Sequence, residues 1–206
     1  MQKTWMKFMD YLQSGEWHIH TSYTDGENTV LEIVAEAKKL NIPLVAFTEH
    51  VRRELTYEFT DFLAEIEKAR EEFPDVIVLS GIEAKVLRDG TLDVEKEILN
   101  EVDYPIFAFH TFTGTAEDFL SCLKNAIQDN RVNAWAHPMP YSQERPNNEE
   151  LREILKMMKE NSVLLEINSK YSAPPQSWIE LANKIGVCTV RGSDIHKLSD
   201  FLSHLM

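Results

Sequence analysis

His18 and His20 stand two residues apart in EWHIHTSYTDG, Glu16 to Gly26, at the end of a short run with strand character. Side chains of a strand alternate between faces, so the two imidazoles point the same way and can close on one cation. Asp25 follows in a Thr-Asp-Gly turn, which bends the chain back and can bring a carboxylate to the same place. The outline is that of a metal site. A His-x-His pair alone is more often a hydrogen-bonded accident than a site, so the positions of the remaining histidines decide the matter.

The elements that must position these residues repeat down the chain. Thr4 to Gln13 has Trp5, Phe8, Met9 and Leu12 at helical spacing, a helix expected to pack as a lid or cap (residues 1–14) on one domain spanning 1–206. A first strand over Glu16 to Thr21 leads to a helix over Thr29 to Leu40. Apolar runs then recur at 42–50, 76–86, 104–110, 132–138, 162–169 and 187–196, ending near Glu49 and His50, Glu83, His110, His137, Glu166 and Asn168, and Asp194 and His196. Helices are predicted after them over Thr60 to Phe73, Asp93 to Leu99, Ala116 to Gln128, Asn148 to Lys159, Gln176 to Ile185 and Leu198 to His204. Near-continuous apolar strands each followed by a helix predict an α/β fold, a distorted (β/α)7 barrel whose strand ends converge on one mouth.

Six of the seven histidines, His18, His20, His50, His110, His137 and His196, fall at predicted strand ends; only His204 does not. Six coincidences of position are harder to accept than one. With Asp25, Glu83 and Asp194 they make nine nitrogen and oxygen ligands and no sulfur, too many for one ion. Two to three divalent ions sharing a carboxylate fit, and zinc, manganese or iron suits mixed imidazole and carboxylate ligands better than magnesium or calcium. Such a cluster supplies hydroxide near neutral pH and neutralises phosphoryl oxygens, so the chemistry expected is phosphate ester hydrolysis. Glu83, Asp194 and His196 are the residues expected to carry it. Arg52, Arg53, Lys85, Arg145, Lys170 and Arg191 are candidate anion binders, with Lys170 and Arg145 foremost because they follow strands six and five.

Composition narrows the partners. A net charge of -13, with no Lys/Arg run longer than two, argues against nucleic acid and leaves a small phosphorylated substrate, drawn in by bound cations. No stretch approaches the roughly 18 apolar residues of a membrane span and the start of the chain lacks a signal-peptide pattern, so a cytoplasmic location away from membranes is expected. Cys122 and Cys188 read as two buried thiols rather than a disulfide. The oligomeric state is not encoded in any of these features.

Along nearly its whole length the sequence resembles the PHP superfamily, the polymerase and histidinol phosphatase domain. The resemblance rests on HIHTSYTDG (18–26), TEH (48–50), GIEA (81–84), His110, AHP (136–138), EINS (166–169) and GSDIH (192–196) in order. It implies a distorted seven-stranded β/α barrel and a trinuclear site: His18, His20, Glu83 and Asp194 on one ion, Glu83 with His110 and His137 on a second, and Asp25, His50 and His196 on a third. It also implies phosphomonoester hydrolysis by a metal-bridging hydroxide. Asp25 stands where some members carry histidine and Glu49 where aspartate is common. The loops are shorter than in typical histidinol phosphatases, so histidinol phosphate is one candidate substrate among several. Alternatives within the superfamily are a protein tyrosine phosphatase or a nuclease; outside enzymes, a non-catalytic metal-binding module.

Overall fold

The structure, a computed structural model, describes residues 3–138 and 146–204, with side chains as far as Phe201. Seven parallel strands run in sequence order around one sheet: β1 (Glu16–Ile19), β2 (Leu44–Val51), β3 (Ile77–Lys85), β4 (Tyr104–Ala108), β5 (Ala134–Trp135), β6 (Leu164–Asn168) and β7 (Thr189–Gly192). Between them lie α1 (Val30–Lys39), α2 (Phe59–Glu72), α3 (Lys96–Glu101), α4 (Ala116–Gln128), α5 (Asn148–Glu160) and α6 (Gln176–Ile185). Sequence-order parallel strands with helices outside give the α/β barrel that the repeating pattern predicts. The seam between β1 and β7 is nearly closed: His20 N–H donates to Ile195 O at 2.8 Å, Ile195 N–H donates to His18 O at 3.0 Å, and Glu16 accepts from Ser193 N–H at 2.7 Å.

Strand alternation separates two cores. Val45, Phe47, Val78 and Ile82 face outward onto apolar helix residues including Ile33, Phe62 and Ile66. Leu44 and Ala46 of β2, Leu79 of β3, Tyr104 and Ile106 of β4 and Leu164 of β6 fill the barrel. Two to four residues further along these inner faces the side chains become polar, as in Glu83 after Leu79 and Gly81, His110 after Ile106 and Ala108, or Glu166 after Leu164. One period-2 pattern therefore builds an apolar floor and carries the ligands to the mouth above it. Capping boxes at Thr29/Glu32, Thr115/Asp118 and Asn147/Glu150 fix where α1, α4 and α5 begin.

Several elements differ from their predicted form. The opening segment is a 3₁₀ helix, Thr4–Tyr11, kinked at Phe8, rather than an α-helix. It packs at the strand starts, opposite the mouth: Trp5 Nε1 donates to Ser162 O at 3.1 Å, Gln13 to Thr189 O at 2.8 Å, and Lys3 to Val132 O. The last segment, Leu198–His204, is also 3₁₀, and α3 begins three residues later than Asp93, the predicted start. β5 shrinks to two residues because the chain turns at His137, which has φ +28, ahead of Pro138. Both thiols are free, Cys122 buried and Cys188 only half-buried, packed on the inner cluster beside the opening segment. No helix among the described residues is long and apolar enough to cross a membrane.

Trp5 is 5% exposed in the inner core. Trp5→Ala should therefore lower the unfolding free energy by about 3–5 kcal/mol, read from urea unfolding, while zinc binding at the opposite end persists in the folded fraction. A loss below about 1 kcal/mol would show that the segment lies on the barrel without contributing to its floor.

Candidate metal centre

Register sets the height of the first two ligands, because His50 on β2 and Glu83 on β3 are paired neighbours with both side chains turned into the mouth. His20, His110 and His137 sit just past β1, β4 and β5, and Asp194 and His196 just past β7. His137 and Asp194 have positive φ, +28 and +50, a conformation that L residues rarely adopt and that clusters at functional sites. Gly26 makes the return turn possible, since a Cβ there would meet the carbonyl of His20 and leave no room for the loop that carries Asp25.

Glu83 is fully buried, and its two oxygens face opposite sides. Oε1 lies 2.7 Å from His137 Nε2 and 3.6 Å from His18 Nε2; Oε2 lies 3.1 Å from His50 Nδ1, 3.1 Å from His110 Nε2 and 3.7 Å from His20 Nε2. Asp194 Oδ1 is 3.1 Å from His20 Nε2 and 3.6 Å from His18 Nε2. Asp25 Oδ2 stands 3.4 Å from both His50 Nε2 and His196 Nε2. All nine predicted ligands thus converge.

Donor atoms within 4.8 Å of one another form four overlapping groups: His18, Glu83 and His137; His18, His20 and Asp194; His50, Glu83 and His110; and His20, Asp25, His50 and His196. His137 thereby joins His18 across Oε1 of Glu83, and His110 joins His50 across Oε2. Glu83 thus has His18 and His137 at Oε1 and His20, His50 and His110 at Oε2.

The donor set fits divalent ions. His18 Nε2 and His20 Nε2 face each other at 3.1 Å, and the Nδ1 atoms of His20, toward Asp25, and of His50, toward Glu83, are buried without a hydrogen-bond partner. Nitrogens so arranged have lone pairs that a cation satisfies and neighbouring imidazoles do not. Burial opposes ionisation of Glu83, but His18 and His137 outweigh it and hold that carboxyl well below the usual range. Burial likewise disfavours the His18 cation, yet Glu166 and Glu83 raise its pKa. His20 is lowered to about 4, chiefly by burial and then by His50 and His18, against the pull of Asp194.

The candidate anion binders separate. Lys170 Nζ reaches the cluster, 2.8 Å from Asp194 Oδ2 and 3.2 Å from His196 Nδ1. Lys85 stops at the rim, donating to Thr111 at 2.8 Å beside His110. Arg52 lies 3.7 Å from Asp93 and Arg53 donates to Thr91, so both are held on the flank after β2. Arg191 does not face the mouth, because alternation on β7 turns Val190 and Gly192 inward and Arg191 outward. Arg145 lies outside the described residues.

Three buried carboxylates had no assigned role in the ligand pattern. Glu49 accepts from Thr21 N–H at 2.8 Å and from the Thr24 hydroxyl at 2.5 Å, holding the loop that carries Asp25; burial pushes its pKa up to about 7. Glu16 accepts from His18 N–H at 3.2 Å as well as from Ser193. Glu166 lies 2.6 Å from His18 Nδ1. The strand-end rule that found the ligands also reached Glu49 and Glu166, but it does not distinguish a ligand from a residue that holds one.

A family model of the PHP domain matches residues 16–170. The chain is 27% identical over 195 residues to the DNA polymerase/3'-5' exonuclease PolX of Bacillus subtilis, an alignment covering 89% of this chain and 34% of that protein. The chain thus spans about a third of the polymerase. It is 28% identical over 196 residues to a probable phosphatase of Clostridium acetobutylicum, covering 87% of this chain and 77% of that one. In fold it is similar to the histidinol phosphate phosphatase of Lactococcus lactis, solved with zinc, L-histidinol and phosphate: the TM-score is 0.68 at 19% identity, covering 93% of this chain and 89% of the other.

Proposed function

The chain belongs to the PHP domain family, and from that premise we propose that it is a metal-dependent phosphoesterase that hydrolyses a small phosphomonoester at a site for two to three divalent ions. The observation that carries this reading is Glu83, one buried carboxylate with five imidazole nitrogens within 3.7 Å on its two sides. His18, His20, Glu83 and Asp194 would hold one ion, Glu83 with His110 and His137 a second, and Asp25, His50 and His196 a third. When bound, such ions supply a water of lowered pKa and offset charge on phosphoryl oxygens.

The chain's own groups do the rest. Lys170 presents a cation at the edge of the cluster, where a terminal phosphate oxygen would displace it from Asp194. Tyr171, 42% exposed and with its ring 5.4 Å from that of His137, offers a wall for the alcohol part of the substrate. Glu83, Asp194 and His196 surround the reacting group, and Glu49 keeps Asp25 in reach through Thr21 and Thr24. The match to a polymerase and exonuclease favours a nuclease as the second reading, against which the charge of -13 weighs.

Purified without chelator, the protein should carry two to three divalent transition ions per chain by elemental analysis and should turn over an aryl phosphate once manganese or zinc is supplied. A content below one ion per chain after reloading would sink the multinuclear site. Full loading without turnover of any phosphorylated metabolite in a panel that includes histidinol phosphate would leave a metal-binding module in place of an enzyme.

A further inference from the structure

Glu166 is a buried acid inside the centre that belongs to none of its ligand groups. It stands on β6 above Leu164, 2% exposed, with every oxygen engaged. Oε1 is 2.6 Å from His18 Nδ1, while Oε2 accepts from the backbone N–H of His137 and, at 3.2 Å, from Asn168 Nδ2. The neighbouring strand makes room for it: a Cβ at Gly192 would overlap Oε1, so any other residue there would drive the carboxylate away.

We propose that Glu166 is a positioning residue of the metal centre, one carboxylate that orients the ligand of β1 and the ligand following β5 together. This rests on the metal-dependent reading above. An ionised carboxylate only accepts, so Nδ1 of His18 must carry the hydrogen. Its Nε2 lone pair is then turned toward Glu83 and Asp194, 3.6 Å from each. His137 is reached through its backbone instead. Its φ of +28 is a conformation that an L residue rarely holds, and a hydrogen bond from its amide to the Glu166 carboxylate supports that turn and aims its Nε2 at Glu83, 2.7 Å away. Glutamine has the same shape but only one accepting end, so it can serve His18 or His137 and not both.

Histidine-15N-labelled wild-type protein loaded with zinc alone tests the first half without a variant. His18 should show a slowly exchanging Nδ1–H and a metal-shifted Nε2; coordination through Nδ1 would overturn the proposal. Glu166→Ala should lose that protected proton and bind zinc on the order of ten- to a hundredfold more weakly in competition with a chromophoric chelator, with Glu166→Gln between it and wild type. Glu180→Gln, exposed on α6, is the control expected to change neither. A folded Glu166→Ala protein with wild-type affinity and an intact Nδ1–H signal would also overturn it, and if neither variant folds the wild-type spectrum decides. None of these readouts is turnover: a wild-type protein that shows this tautomer but cleaves no phosphate defeats the phosphoesterase reading and leaves the positioning role standing.

Discussion

Glu83→Gln should lower kcat by about a hundredfold or more while the protein stays folded. Glutamine fills the same space on β3, so neither the register with His50 nor the packing around it need change. What changes is charge. Five imidazole nitrogens converge on this one carboxylate, three at Oε2 and two at Oε1. An amide leaves one end neutral and makes the other a donor aimed at nitrogens that need an acceptor or a cation, so ions on both flanks are weakened by a single substitution. Removing Arg53, an exposed residue that donates to Thr91 at 3.3 Å, touches no ligand and should leave kcat near wild type. Circular dichroism and a urea midpoint would establish that Glu83→Gln is folded, and near-normal turnover by such protein would refute the shared role.

The residues that converge at the mouth were legible in the sequence for a physical reason. In a parallel barrel the inner face of each strand must change from apolar to polar at the mouth, so His50, Glu83 and His110 are marked by position as well as type. The parts that were not legible depend on three-dimensional contact. Arg191 reads as close to Asp194 along the chain, but the period of two sends it to the other face. The opening segment has helical spacing, yet the need to place Trp5 under the strand starts and Leu12 beside β7 is met by a tighter, kinked 3₁₀ path. Glu166 and Glu83 occupy comparable places on their strands. Only the side-chain geometry shows that Glu83 meets nitrogens of five rings, His50 through Nδ1 and the others through Nε2, while Glu166 meets Nδ1 of His18 and the amide of His137.

Phosphomonoesters should be cleaved at least tenfold better, in kcat/KM, than phosphodiesters under identical metal and salt. A monoester dianion offers three terminal oxygens to the ions and to Lys170, whose ammonium stands 2.8 Å from Asp194 at the edge of the cluster. A diester offers two and brings a second substituent to be accommodated between Lys170 and the half-exposed ring of Tyr171. A nucleic acid would also approach a chain of net charge -13 whose candidate cations are already engaged in part, Arg52 beside Asp93 and Arg53 with Thr91. A chain so acidic is expected to repel a polyanion. The comparison is best made with a nitrophenyl monoester against the bis-ester, followed by a single-stranded oligonucleotide at low salt, where any electrostatic attraction would be strongest. A preference for the diester by tenfold or more, or exonuclease products from the oligonucleotide, would replace the monoesterase by the nuclease that the likeness to the Bacillus subtilis polymerase suggests.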